Sequence, residues 1–194
     1  LHALLASVPG LEVVCPSTPA DAAGLLKSAI LSPNPVIMLE HKGLYGLTAD
    51  VDEELPAVPI GEGRLVHEGG EVTVVAVAEM VQRATSAADQ LAARGIGVDL
   101  IDPRTIYPLD IDMILASLEK TRRLLVVDEG SHHGGFADTV IAAAATRGFH
   151  CLRAAPQKVT PPQVPAPYGR LLEADWLPDV DDIVRKVDEM MYDE

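Results

Sequence analysis

The sequence predicts an α/β fold built on a mostly parallel sheet, and three observations carry that prediction. Beyond residue 70, short runs of β-branched or small apolar residues alternate with helix-length amphipathic segments, the pattern of strands joined by crossover helices. Before residue 40 the order strand, helix, strand appears once more, which implies a parallel pair. Between these stretches, residues 43–70 lose periodicity and carry Pro56, Pro59, Gly61 and Gly63, the composition of a linker.

In chain order, Glu12-Val-Val-Cys15 reads as a strand. Ser17-Thr-Pro-Ala-Asp21 reads as a helix start: Ser17 or Thr18 accepts backbone N–H groups, Pro19 suits the first turn, and Asp21 favours the positive end. The apolar face of Ala22–Ile30 continues the helix. Ser32-Pro-Asn-Pro35 ends it, because each proline removes a donor and restricts the residue before it. Val36–Leu39 is a short strand. After the linker, Val72–Ala78 is a strand and Met80–Arg94 an amphipathic helix closed by Gly95. Val98–Ile101 is a strand, Asp110 caps a helix through Glu119, and Arg123–Val127 is a strand. Gly135–Arg147 is an alanine-rich helix ended by Gly148, and Cys151–Ala154 reads as a last short strand. Asp179–Met190 is a helix with Val180, Ile183, Val184 and Val187 on one face.

Composition narrows the function. The chain has 194 residues, 48% hydrophobic, enough for one good core or one core plus part of another. Its apolar runs fall short of the roughly 20 residues that a membrane helix needs, and no secretory signal is visible. Two cysteines, Cys15 and Cys151, form neither a disulfide framework nor a metal spacing and suit a reducing compartment, the cytoplasm or the mitochondrial matrix. The net charge of −14 argues against nucleic-acid binding and favours a basic protein partner. Acids are densest near the end, including Asp188, Glu189, Asp193 and Glu194, where a solvated helix face is the plain alternative to a docking surface.

Two segments add a resemblance: Pro9-Gly-Leu-Glu-Val-Val-Cys-Pro16 and Ile101-Asp-Pro-Arg-Thr-Ile-Tyr-Pro-Leu-Asp110. With Ala23-Gly-Leu-Leu-Lys-Ser-Ala29, Asn34-Pro-Val36, Glu40, Leu44-Tyr-Gly46, Asp128-Glu129, Gly134-Gly-Phe136, Val164-Pro-Ala-Pro-Tyr168 and Leu177-Pro178, they form an ordered set along the whole chain. In that set the chain resembles the beta subunit of thiamine-diphosphate-dependent 2-oxoacid dehydrogenases, the first component of the pyruvate, branched-chain 2-oxoacid or acetoin dehydrogenase complexes. The resemblance implies a carboxy-terminal portion of such a subunit. Residues 1–46 would be the last part of a pyrimidine-binding domain, 47–70 a linker, and 71–194 a transketolase-like carboxy-terminal domain.

The full assembly would decarboxylate a 2-oxoacid oxidatively and pass the acyl group to a lipoyl domain. It would use thiamine diphosphate and Mg2+, held in the family with the alpha subunit of an α2β2 tetramer. The glutamate that activates the cofactor and a family histidine would lie upstream of Leu1, so the resemblance places no catalytic or cofactor-binding residue in this chain, and the chain alone would be inactive. Its own work would be subunit assembly and docking of the second-component acyltransferase, whose subunit-binding domain is basic. The resemblance also implies a K+ site formed by the carbonyls of Ala29, Ser32 and Asn34 at a helix end, where the dipole favours a cation. The family often has Asp where this chain has Ser32. Glu40 as a general acid and His132-His133 as a metal or substrate site are weighed against ordinary structural roles, which the residue pattern favours. Adjacent side chains such as His132 and His133 are expected to point apart. The rival readings are the carboxy-terminal part of a transketolase or 1-deoxyxylulose-5-phosphate synthase, and a non-catalytic α/β binding module.

Overall fold

The computed structural model describes residues 1–50 and 54–192. Its larger sheet has strand order β3 (Arg64–His67), β5 (Val98–Asp102), β4 (Val72–Ala76), β7 (Leu124–Val127) and β8 (Gln157–Val159). All neighbours are parallel except β3, which runs antiparallel along β5. The central strands are buried on both faces, which is why β7 reads as a continuous apolar run and β4 and β5 are mostly apolar, with Thr73, Asp99 and Asp102 the polar exceptions.

Period-two geometry then sorts their side chains into two cores. Val75, Ile101, Leu124 and Val126 point to one face and meet Ile114 and Leu118 of α4 (Ile111–Thr121) and Phe136 and Val140 of α5 (Phe136–Gly148). Val72, Val74, Leu100 and Leu125 point to the other. There they meet Met80, Val81 and Leu91 of α3 (Glu79–Ala92), with Ile183 and Val187 of α7 (Val180–Tyr192). Each such fully buried side chain contributes roughly 1.5–3 kcal/mol. The helix signals act as read. Thr18 Oγ1 accepts from Asp21 N at 3.1 Å, Asp110 Oδ1 accepts from Met113 N at 3.1 Å, and Gly95 takes φ 82° after α3.

A smaller sheet joins β1 (Glu12–Val14) in parallel to β2 (Val36–Met38) through α2 (Pro19–Leu31). Its third strand is β6 (Thr105–Tyr107), which comes from beyond the expected linker and pairs antiparallel with β1. Helix α1 (His2–Ala6) packs near β1 and β6.

Four expectations change. Residues 47–70 were expected to be irregular, yet β3 lies within them and Val58 N donates to Gly24 O at 3.0 Å. Ser28 Oγ and Lys27 Nζ of α2 also donate to the carbonyls of Val58 and Leu55, so residues 55–58 are strapped along that helix. Gly24 is what permits the contact: a Cβ there would lie 2.4 Å from Val58 Cγ2. The last strand sits at Gln157–Val159 rather than Cys151–Ala154. Residues 149–151 instead form a 3-10 turn that buries Cys151, and only then does the chain reach the sheet. β6 and α6 (Arg170–Trp176) were not expected at all.

Candidate functional site

In an open parallel sheet, ligands generally sit beyond the carboxyl ends of the strands, where the strand order reverses. Here β4 connects to β5 on one side, and the chain then crosses to β7 on the other, so the reversal lies between β4 and β7. The loops bounding that position are Val77-Ala78 and Asp128–Gly135.

The amino-terminal part of the chain fills this crevice. Val13 and Cys15 pack with Val77 and Ala78, and Gln82 Nε2 of α3 donates to Ser17 O at 3.0 Å. His2 Nε2 lies 3.0 Å from Asp128 Oδ1, and His41 Nε2 lies 3.0 Å from Glu129 Oε2. Asp128 is fully buried. Its Oδ1 also accepts Gly130 N at 2.8 Å, while Oδ2 has no hydrogen-bond partner among the described residues. Cys15 N donates to Arg104 O at 2.8 Å. Burial first, then the charges of Glu129, Asp102 and Asp128, push its thiol up to about 12, so it stays protonated and is no nucleophile.

Beyond the end of β5 the same junction is ionic. Ser17 Oγ donates to Asp102 Oδ2 at 2.5 Å, and Arg104 N donates to Asp102 Oδ1 at 2.9 Å. Arg64 Nη2 bridges Asp102 at 3.3 Å and Asp21 at 3.2 Å, and Arg104 Nη1 reaches Asp21 at 3.4 Å. Burial raises the Asp102 carboxyl above its ordinary range, and the Ser17 and Arg104 hydrogen bonds oppose that only in part. These groups join segments far apart in sequence, and the arrangement holds two halves together rather than presenting an open site.

Residues 61–183 match the family described as "Transketolase, C-terminal domain". The chain belongs to this family. Residues 1–48 match "Transketolase, pyrimidine binding domain". The beta subunit of an acetoin:2,6-dichlorophenolindophenol oxidoreductase from Cupriavidus necator is 45% identical over 92% of this chain and 53% of its own length. The Bacillus subtilis protein of that name is 41% identical, over 95% and 54% respectively. The pyruvate dehydrogenase E1 component subunit beta of Bacillus subtilis is 40% identical over 95% of this chain and 57% of its own. The chain thus spans about half the length of the curated relatives it matches. Among solved structures, "Split gene transketolase, inactive beta4 tetramer" superposes with a TM-score of 0.81 at 26% identity, covering 98% of this chain and 60% of that one.

Within this transketolase-type chain, the residues singled out by sequence are scattered. The loop after β7 is the natural place to seek a diphosphate, but it does not fit one. Gly130 N is taken by Asp128, Gly134 N by Asp138 at 2.8 Å, and both carboxylates would repel phosphate. Among the described residues no His, Cys, Asp and Glu cluster could hold a metal ion. His132 and His133, expected to point apart, instead meet edge to face with ring centroids 5.1 Å apart, because the loop is bent rather than extended. His132 Nδ1 is 2.8 Å from Thr160 Oγ1, and Lys158 Nζ donates to the His132 carbonyl and to Asp138, whose carboxyl it holds low. Both histidines therefore sit in a locally tied loop. It walls a cleft of about 430 Å³ whose opposite side is Pro161, Pro162 and Trp176.

Glu40 is exposed and accepts Tyr45 Oη at 3.1 Å, beside a cleft of about 220 Å³ walled by Pro16, Pro19 and Leu44. At the end of α2, Ser32 Oγ and Asn34 Nδ2 donate to the two oxygens of Glu12, at 2.8 and 3.1 Å. The side chains of Ser32 and Asn34 are thus turned to a carboxylate. Of the four tail acids, Asp193 and Glu194 lie outside the described residues. Asp188 is bound by Arg94 at 2.6 Å and Glu189 by Lys186 at 2.5 Å, which reduces the local negative field. The residues that make the junction, Ser17, Asp21, Arg64, Asp102 and Arg104, were not read as a site. Asp21 was legible only as a helix-start acid, and Arg104 only through the resemblance.

Proposed function

We propose that this chain is part of the beta subunit of a thiamine-diphosphate-dependent enzyme acting on a 2-oxoacid or acetoin. The observation that carries the reading is identity of 40–45% to acetoin and pyruvate dehydrogenase beta subunits along more than nine-tenths of the chain. The weaker likeness to a split-gene transketolase, at 26%, places the transketolase reading second. Thiamine diphosphate supplies an electron sink for carbon–carbon cleavage when bound. In this reading its diphosphate and Mg2+ would be held with an alpha subunit, which the carboxylates of Asp128 and Asp138 in and after the β7 loop support by disfavouring phosphate there.

In this reading the division falls at residues 47–70, and the chain's own part is assembly. The fixed junction of its two halves gives other subunits a rigid surface. K+ at the carbonyls of Ala29, Ser32 and Asn34 would brace the end of α2. The second-component acyltransferase would dock on the carboxy-terminal part, with Asp188, Glu189, Asp193 and Glu194 on its rim. The chemistry would take place in the cytoplasm or the mitochondrial matrix.

Co-expression with the alpha subunit of an acetoin or pyruvate dehydrogenase tests the reading. A stable alpha–beta complex by light scattering is expected. A chain that stays unassociated with both, while remaining folded, would overturn it.

A further inference from the structure

The sequence after β2 runs Glu40-His-Lys-Gly-Leu-Tyr45, and a 3-10 turn spans Lys42–Leu44. Its amino-terminal cap is a histidine side chain: His41 Nδ1 accepts the Gly43 N–H at 3.1 Å. An imidazole nitrogen that accepts carries no proton, so the neutral ring holds its hydrogen on Nε2. Nε2–H faces Glu129 Oε2, with Nε2 and Oε2 3.0 Å apart, across the junction between the two halves. Both ring nitrogens are used, but only while the ring is neutral. A proton taken from solvent must go to Nδ1, turning the acceptor into a donor opposite another donor. The cap is then lost, while the bond to Glu129 gains a full positive charge on its His41 side.

We propose that His41 is a proton-operated clasp that exchanges the cap of the 42–44 turn for an ion pair with Glu129. The exchange acts on a defined place. His41, Leu44 and Tyr45 form one wall of the cleft opposite Pro16 and Pro19, so release of the turn changes the shape of that cleft.

The groups facing the ring are few. Glu129 comes from the loop after β7, and Glu79 and Arg83 come from α3, where they pair with each other at 2.9 Å. Glu40, Lys42 and Tyr45 lie on its own segment. The Glu129 hydrogen bond is the largest influence and favours protonation, which agrees with the geometry.

The test uses the full chain labelled with 15N, titrated between about pH 5 and 8, the range in which histidine changes charge. The neutral His41 ring is expected as the Nε2–H tautomer. The Gly43 amide shift should titrate with the His41 midpoint. Below that midpoint, after correction for intrinsic exchange, the Gly43 amide should exchange about 3- to 10-fold faster, the loss of one hydrogen bond. Glu129→Gln should move both midpoints down together. His41→Asn, whose side-chain oxygen can still cap the turn, should keep Gly43 protected at every pH. An Nδ1–H tautomer, a Gly43 amide that ignores the His41 titration, or one that still titrates in His41→Asn would each overturn the proposal.

Discussion

The two ends of the larger sheet are both sealed by buried polar groups, but with opposite chemistry. At the amino end, Thr73 Oγ1 of β4 lies 2.6 Å from both Ser117 Oγ and Thr121 Oγ1 of α4. Ser117 continues the chain to Asp99 Oδ2 at 2.7 Å, and Lys120 closes it at 2.9 Å. Apart from that final pair this network is a chain of hydroxyls, and with its backbone partners Gly69 N and Arg123 O it stays within residues 69–123. At the carboxyl end the partners are carboxylates, guanidinium groups and imidazoles, and they join residues 2–41 to residues 64–129. Hydroxyls can donate and accept in turn, so a network of them tolerates a helix packed directly on its sheet. Ion pairs between two separately built surfaces fix how the surfaces meet, because each cation must find its own anion. One end therefore consolidates a unit, and the other couples two.

The largest expected effect comes from breaking the coupling end. Arg104→Ala removes the ion pair to Asp21 and the guanidinium bonds to the carbonyls of Glu62 and Gly63, leaving a nearly buried carboxylate under-compensated. A loss of about 3 kcal/mol is expected in urea denaturation. A loss under about 1 kcal/mol would place the two ends on the same footing.

A smaller effect is expected at the consolidating end. Thr73→Val keeps the shape and deletes the hydroxyl shared by Ser117 and Thr121, for a loss of about 1 kcal/mol. Hydrogen exchange should show opening confined to β4 and α4 in this variant, with the junction still protected. Opening of the junction as well would dissolve the distinction between the two ends.

The smallest effect is a pH slope that only the coupling end should show. His41 is held above its ordinary 6.5, chiefly by the Glu129 hydrogen bond, so the folded chain keeps a proton that the unfolded chain has released. That contribution is full below 6.5 and is lost as pH rises through the folded value. Its imidazole is 26% exposed, which keeps the amplitude small. Asp102, raised above 3.8 by burial, adds a decline of the same sign at acid pH. Denaturation midpoints measured across pH should lose the near-neutral slope in His41→Asn and the acid slope in Asp102→Asn. Slopes that survive both substitutions would assign the effect to other groups.

Much of the fold was legible because its signals are local. The Thr18 and Asp110 caps, the glycine after α3 and the apolar strands each announce themselves within a few residues. β3 and β6 were not legible. Arg64-Leu-Val-His67 and Thr105-Ile-Tyr107 are short, flanked by charge or proline, and become strands only by pairing with distant partners, β5 and β1. The junction was hidden for the same reason. Ser17 and Asp102 are 85 residues apart, and no periodicity links them. His41 shows the limit most sharply: its tie to Glu129 and its grip on Gly43 exist only once both halves have been built.

The strap along α2 has a mechanical consequence. Residues 55–58 are fastened to that helix at Gly24, Lys27 and Ser28, so the stretch leading into β3 is a strut rather than slack cord. A pull between the two halves would load those three bonds side by side before any length was paid out. Force would travel down the axis of α2 to its Thr18 cap, next to the Ser17–Asp102 bond.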